Sequence, residues 1–167
     1  MSLKELVLDF FFPPRCAFCG AILEKSGDGV CETCRRKLPR TADTKRACDF
    51  VHAYTAPFYY EEPVRQGVLT YKFGNAPARG QVFGRMLGED LLSRGIDDFD
   101  LISWVPLSAK LCRRRGYDQA QILAEAAAEV LGTKAVPLLR KSRDVSPQSR
   151  LHSPEERRAN ISGCYVV

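Results

Sequence analysis

The spacing of hydrophobic positions changes several times along the chain, and each change marks a different element. The first apolar run, "LVLDFFFPP", is broken by Asp9 and closed by two prolines. It is too short for a membrane span and lacks the basic start and small-residue cleavage site of a signal peptide. It is expected to pack against the rest of a cytoplasmic protein. Residues 13–40 are poor in core-forming side chains and carry Gly20, Gly27 and Gly29. From about residue 48 the pattern becomes regular. "FVHAYT" has strand character and Pro57 interrupts it. "EEPVRQGVLTYKFG" has Val64, Val68 and Tyr71 at helical spacing, with Pro63 in the first turn and Gly74 as the stop. A second helix is predicted over 79–94, with Val82, Phe83, Met86, Leu87 and Leu91 on one face and Gly95 at its end.

"DLISWVP" is an apolar run of strand length. After it, residues 106–121, "PLSAKLCRRRGYDQAQ", are expected to form a loop. "QAQILAEAAAEVL" is the clearest helix in the chain, with Ile122, Leu123, Ala126, Ala127, Val130 and Leu131 facing inward and Gly132 as its C-terminal signal. "KAVPLL" is read as another strand. Strand, loop, helix and strand within about 40 residues describe a βαβ unit, which implies a parallel sheet and an α/β fold class. A polar, arginine-rich stretch follows, with a capping-box start at Ser153, Pro154 and Glu156, and "ISGCYVV" has strand character. The division this suggests is an N-terminal unit over 1–45 and an α/β domain over 46–167.

Composition changes this picture little. The 167 residues are 45% hydrophobic and 27% charged, with a formal net charge of +5. Such a chain is globular and mildly basic, which permits anionic partners without requiring them. The cysteines change it more. There are seven, and four are patterned as "CAFC" (Cys16, Cys19) and "CETC" (Cys31, Cys34), eleven residues apart. In a chain with no secretory signal this spacing points to metal and not to disulfides. Zinc takes four tetrahedral thiolates in structural sites, and a complete thiolate set leaves no position for a catalytic water. Cys48 and His52 form C-x3-H and are read as a buried thiol and an ordinary strand residue; Cys112 and Cys164 are read as core thiols.

The basic segment carries the remaining chemistry. It leaves the C-terminal end of a predicted strand and enters a helix, which is where parallel sheets bind ligands. Arg113, Arg114 and Arg115 supply charge, and Gly116 lets backbone approach a guest. A helix N-terminus favours anions. Asp118, with Gln121 three residues on, also has the pattern of a plain N-cap.

The segments "FPPRCAFCG", "CETCRRKLP", "LTYKFG", "WVPLSAKLCRRRGYDQAQILA" and "SPQSRLHSPEERRANISG" occur in this order, and together they resemble the competence protein F family. The resemblance runs from about residue 8 to the end. It implies a zinc ribbon joined to a type I phosphoribosyltransferase-like domain, and a role in DNA uptake and natural transformation. It implies phosphoribosyl pyrophosphate or a nucleotide as ligand, with magnesium. Arg115, Gly116 and Tyr117 match the pyrophosphate-contacting loop of such domains, and Lys72 and Gln148 match polar positions expected near the same cleft. The stretch 140–158 falls where these enzymes keep a mobile loop.

Two departures from that family stand out. Asp118 replaces the usual Asn and adds a negative charge at the helix end. The two acids followed by Thr-Thr-Gly that hold ribose and 5′-phosphate are absent: Asp97-Asp98 is followed by Phe99 and Asp100. The domain is therefore expected to be incomplete at its C-terminus. No nucleophile suggests itself. The alternatives are a non-enzymatic adaptor for single-stranded DNA, a DNA-uptake helicase or a recombination mediator, or an inactive fragment.

Overall fold

The computed structural model describes residues 13–24, 27–42, 46–48 and 50–167, with the side chains of 46–48, 52 and 53 outside the description. The first apolar run and the side chains of Cys48 and His52 thus lie outside the described residues. The helices are α1 (Glu32–Lys37), α2 (Val64–Phe73), α3 (Ala78–Ser93), α4 (Ala109–Arg115), α5 (Gln119–Leu131) and α6 (Pro154–Ile161). The strands are β1 (Arg46–Cys48), β2 (Val51–Tyr54), β3 (Arg140–Lys141) and β4 (Tyr165–Val166). They form two two-stranded antiparallel sheets, β1–β2 and β3–β4. The described chain is a mixed helical structure carrying a zinc-ribbon-like knuckle.

Helix α3 organises the molecule because its two faces take different partners. On one face Gly80, Gly84 and Gly88 are buried against α5. A Cβ built on Gly84 would lie 2.5 Å from Ala126 Cβ and 2.7 Å from the Leu123 carbonyl oxygen, and one on Gly88 would lie 2.8 Å from Val130 Cβ. The helices are therefore closer than any side chain on that stripe would allow. From α5 the stripe is met by the Ile122, Ala126 and Val130 side chains and by the backbone at Leu123 and Ala127. The apolar positions read from the sequence, Val82, Phe83 and Met86, pack against the core that α3 shares with the cysteine region.

That core contains Cys16, Phe18, Val30, Cys34, Leu38 and Val64. Phe18 is 1% exposed, and its ring meets Phe83 at 5.2 Å and Phe58 at 6.1 Å edge-on. Burying such a ring contributes about 1.5–3 kcal/mol. Polar contacts fix the same seam. Arg79 donates to the carbonyls of Ala17 (2.6 Å) and Phe18 (3.3 Å). At the other end of α3, Arg94 forms a buried ion pair with Asp90 (2.7 Å) and donates to Thr41 Oγ1 (2.8 Å) and the Ala42 carbonyl (3.1 Å). Residues 13–40, expected to supply little hydrophobic core, contribute five of these six buried residues, and α2 and α3 complete the packing around them.

The expected parallel sheet is reduced to one rung. Ile102 pairs with Ala135 in parallel, through Ile102 N–H to the Lys134 carbonyl (3.0 Å) and Val136 N–H to the Ile102 carbonyl (2.9 Å). Pro106 and Pro137 close both segments, and neither can donate to a ladder. Leu138 N–H turns instead to Ser103 Oγ at 3.2 Å. The crossover between the two segments runs through α4 and α5.

The expected arginine loop is also corrected, because residues 109–115 are helical. Ser108 caps α4 by accepting from Leu111 N–H, and Gly116 ends it in the left-handed conformation, φ 81°. Only Tyr117 and Asp118 then separate Gly116 from α5. The arginine-rich stretch beyond β3 is organised as well. A short 3₁₀ turn (Gln148–Arg150) precedes α6, which opens with the predicted Ser153/Glu156 capping box. Arg143 donates to the carbonyls of Asn160 and Ser162, and Asn160 Nδ2 donates to the Ser146 carbonyl.

Candidate metal centre and cationic cleft

Two sites emerge, one closed and one open. The closed site begins with a small hairpin. Leu23 N–H bonds the Pro14 carbonyl, Cys16 N–H the Ala21 carbonyl, and Gly20 N–H the Cys16 carbonyl, so Cys16 and Cys19 share one tight knuckle. Gly20 adopts φ 79°, which glycine reaches without strain. The second pair sits on α1, where Cys31 is the N-cap and accepts from Cys34 N–H at 3.4 Å. Ala17 N–H to the Gly29 carbonyl (2.9 Å) joins the two halves. Gly29 has φ 81°, and its missing Cβ is replaced by Val82 of α3.

All four Sγ atoms lie within 4.8 Å of one another. Cys19 and Cys31 sulfurs are 3.7 Å apart and all four thiols are free. Four sulfurs at about 2.3 Å from a tetrahedral zinc stand about 3.8 Å apart, so the cluster fits zinc and does not fit disulfides. Among the described residues it is the one grouping of this kind. The donor set suits structural zinc and offers no open coordination position.

The electrostatics of the cluster are uneven. Burial opposes charge on Cys16, but N–H groups of Cys31, Cys19 and Phe18 outweigh it and hold this thiol down at about 6. Burial pushes Cys34 and Cys19 up from the ordinary thiol value. Arg79 stands beside the first knuckle; burial lowers its pKa, and the charges of Cys16 and Cys19 act the other way.

The open site is a cleft of about 530 Å³ lined by Lys72, Phe73, Asn75, Arg113, Arg114, Arg115, Gly116 and Tyr117. The end of α2 supplies Lys72, and the last turn of α4 supplies the arginines. Four of the sequence-selected residues, Lys72, Arg115, Gly116 and Tyr117, therefore meet here. Gln148 does not line the cleft. It lies in the 3₁₀ turn, where Nε2 donates to the Arg157 carbonyl at 3.2 Å and Oε1 is buried without a partner.

The cleft residues differ in how far they are already engaged. Tyr117 hydroxyl donates to the Tyr71 carbonyl, and the two rings stack at 5.8 Å. Tyr71 in turn donates to the Gln119 carbonyl at 2.8 Å, and burial, with Tyr117 and Asp118 nearby, pushes its hydroxyl pKa up. Arg115 donates to Gln119 Oε1 at 2.8 Å and lies over the Phe73 ring at 5.2 Å. Lys72, Arg113 and Arg114 form no ion pair among the described residues, and no acid lines the cleft.

The helix end expected to attract an anion already holds one. Asp118 is buried; its Oδ1 accepts from Ala120 N–H (3.0 Å) and Gln121 N–H (3.4 Å), and its Oδ2 accepts from Leu107 N–H (2.7 Å). Any grip on a guest therefore comes from side-chain cations and not from the α5 N-terminus. Sequence reasoning missed Arg79, Asn75 and Gln119 as parts of these sites, whereas Phe73 and Tyr117 were the aromatics expected near the basic residues. The Gly80, Gly84, Gly88 spacing was the available signal that α3 and α5 approach closely.

Residues 7–61 match the double zinc ribbon domain, a span that takes in the cysteine cluster and the β1–β2 hairpin. No curated protein and no solved structure matches the chain. Among the described residues, no helix is long and apolar enough to cross a membrane.

Proposed function

We propose that this chain is a zinc-stabilised protein of the competence protein F kind, whose cationic cleft takes the phosphates of phosphoribosyl pyrophosphate or a nucleotide. The observation that carries the reading is the convergence of Lys72, Arg113, Arg114 and Arg115 on one cleft without an acid. Such an arrangement is electrostatically incomplete until an anion arrives. Because no carboxylate lines the cleft, magnesium would enter bound to the phosphates of the ligand, in the way it commonly keeps few protein ligands. A phosphoribosyltransferase-type reaction would rest on orienting the pyrophosphate leaving group by these cations. The role in DNA uptake, the separate unit over 1–45 and a cytoplasmic location belong to the same reading.

Isothermal titration with phosphoribosyl pyrophosphate and with inorganic pyrophosphate, each with and without magnesium, tests it. Binding should weaken at least about tenfold in Lys72→Ala and in Arg114→Ala, the loss expected for one charge-assisted contact. Absence of binding by the zinc-loaded protein would count decisively against the reading.

A second reading has its own observation. Phe73 is 71% exposed beside Arg115, a pairing suited to stacking an unpaired base. A zinc ribbon is compatible with nucleic-acid or protein binding, and the basic surface would then follow a single-stranded backbone. In that case affinity for an oligothymidylate falls steeply as salt rises, because counterions are released, and Phe73→Ala weakens it. A flat salt response removes this reading.

A further inference from the structure

Beside the cationic cleft lies a second cavity, of about 380 Å³, and its chemistry is different. Its walls are mainly apolar, among them Phe18, Phe58, Val68, Tyr71, Phe83 and Leu123. Phe18 comes from the first cysteine knuckle, Val68 from α2, Phe83 from α3 and Leu123 from α5. We propose that this cavity seats the ring of an aromatic phosphate whose phosphate lies in the cationic cleft; the inference rests on the reading of that cleft as a phosphate site.

Two observations support it. Lys72 lines both cavities, so the two spaces share a wall whose stem is apolar and whose tip is cationic. No acid lines the apolar cavity, so nothing there favours a cationic guest. An apolar chamber beside a charged group that fixes orientation is the usual form of a small-molecule site. The ligand class that meets both demands is a planar apolar ring joined to a phosphate.

The test uses the zinc-loaded full chain and three probes in isothermal titration: methylumbelliferyl phosphate, inorganic phosphate, and methylumbelliferone. The ester should bind at least about tenfold more tightly than inorganic phosphate, as burial of the rings requires. Val68→Phe and Leu87→Phe, which fill the cavity from α2 and from α3, should abolish that advantage and leave inorganic phosphate binding unchanged. Two variants are used because overpacking can unfold one of them, and thermal melts identify the folded one. Equal affinity for ester and phosphate overturns the inference alone. So does an undiminished ester advantage in a folded cavity-filling variant. Failure of both anions to bind overturns the cleft reading and this inference with it.

Discussion

The cysteine cluster and the cationic cleft are both gatherings of like groups, and they are built in opposite ways. In the cluster four thiols turn toward one another within 4.8 Å, and backbone N–H groups reach Cys16 and Cys31. In the cleft Lys72, Arg113 and Arg114 line one space and meet no acid among the described residues. The first arrangement is complete with a metal and belongs to folding. The second gathers cations that no acid in its lining offsets, and on the reading proposed above it belongs to binding. Like charges are held together in both, but only the cluster shares its side chains with the core. Stability and binding should therefore separate cleanly between them.

The largest effect should come from opening the cluster. Chelation of zinc, or Cys34→Ser, removes a metal whose binding contributes on the order of 10 kcal/mol in small zinc domains. Because Cys16, Phe18 and Cys34 belong to the core shared with α2 and α3, the loss should spread beyond the knuckle. The expected result is a lowered and less cooperative melt by circular dichroism. An unchanged melt for the α2–α3–α5 region would show that the cluster is an appendage. Acid gives a milder version. In the metal-free protein Cys16 is held at about 6, below the ordinary thiol value of 9.0. Between these values the unfolded chain binds more protons, so stability rises with pH. The contribution of Cys16 is fully present above pH 9.0 and is lost as pH falls through about 6. Cys34 and Cys19, held high by burial, have the opposite sense: what they contribute is present below pH 9.0 and fades above it. Ultraviolet thiolate absorbance across this range checks the sign.

The same contrast explains what was legible in the sequence. The cluster was readable because its chemistry is local: two C-x2-C pairs and a turn glycine already define the knuckles. The α5 helix, its Gly132 stop and the Ser153/Glu156 capping box were readable for the same reason. The cleft was half readable. Arg115, Gly116 and Tyr117 adjoin in sequence, and Lys72 joins them only through the stacking of Tyr71 on Tyr117 and the hydrogen bonds of these two hydroxyls. The segment was expected to be a loop because three arginines and a glycine outweighed Ser108, whose capping of α4 makes those arginines the last turn of a helix. The parallel sheet was overread from apolar runs alone, with too little weight given to Pro106 and Pro137. The glycine stripe of α3 is a long-range feature, since its meaning depends on the residues of another helix.

An intermediate effect should follow from cutting the seam between cluster and helices. Arg79→Met keeps the length of the side chain and leaves the Ala17 and Phe18 carbonyls without their donor. Loss of a partly buried, charge-assisted contact of this kind costs about 1–3 kcal/mol. Denaturant titration of the zinc-loaded protein should show the midpoint falling with an unchanged slope, and Arg79→Lys should recover part of the loss. If Arg79→Met also accelerates zinc release to a chelator, the arginine positions the first knuckle as well as fastening it. If stability is unaffected, the seam is held by Phe18 and its aromatic neighbours alone.

The smallest effect on stability is expected where the largest effect on binding is proposed. Arg114 is exposed on the last turn of α4 and forms no ion pair among the described residues. Its removal should change unfolding free energy by no more than about 0.5 kcal/mol, the usual range for a surface substitution. Two small terms oppose each other there. The C-terminal turn of a helix favours a cation, whereas Arg113, Arg115 and Lys72 line the same cleft and repel one. Salt separates them, because repulsion between exposed charges weakens as ionic strength rises. At low salt Arg114→Ala should therefore equal or slightly exceed the parent in thermal stability, and at high salt it should fall slightly below. A clear destabilisation at low salt would mean that this arginine is already satisfied within the fold. The cleft would then be as closed as the cysteine cluster, and the division between a folding site and a binding site would fail at the residue chosen to test it.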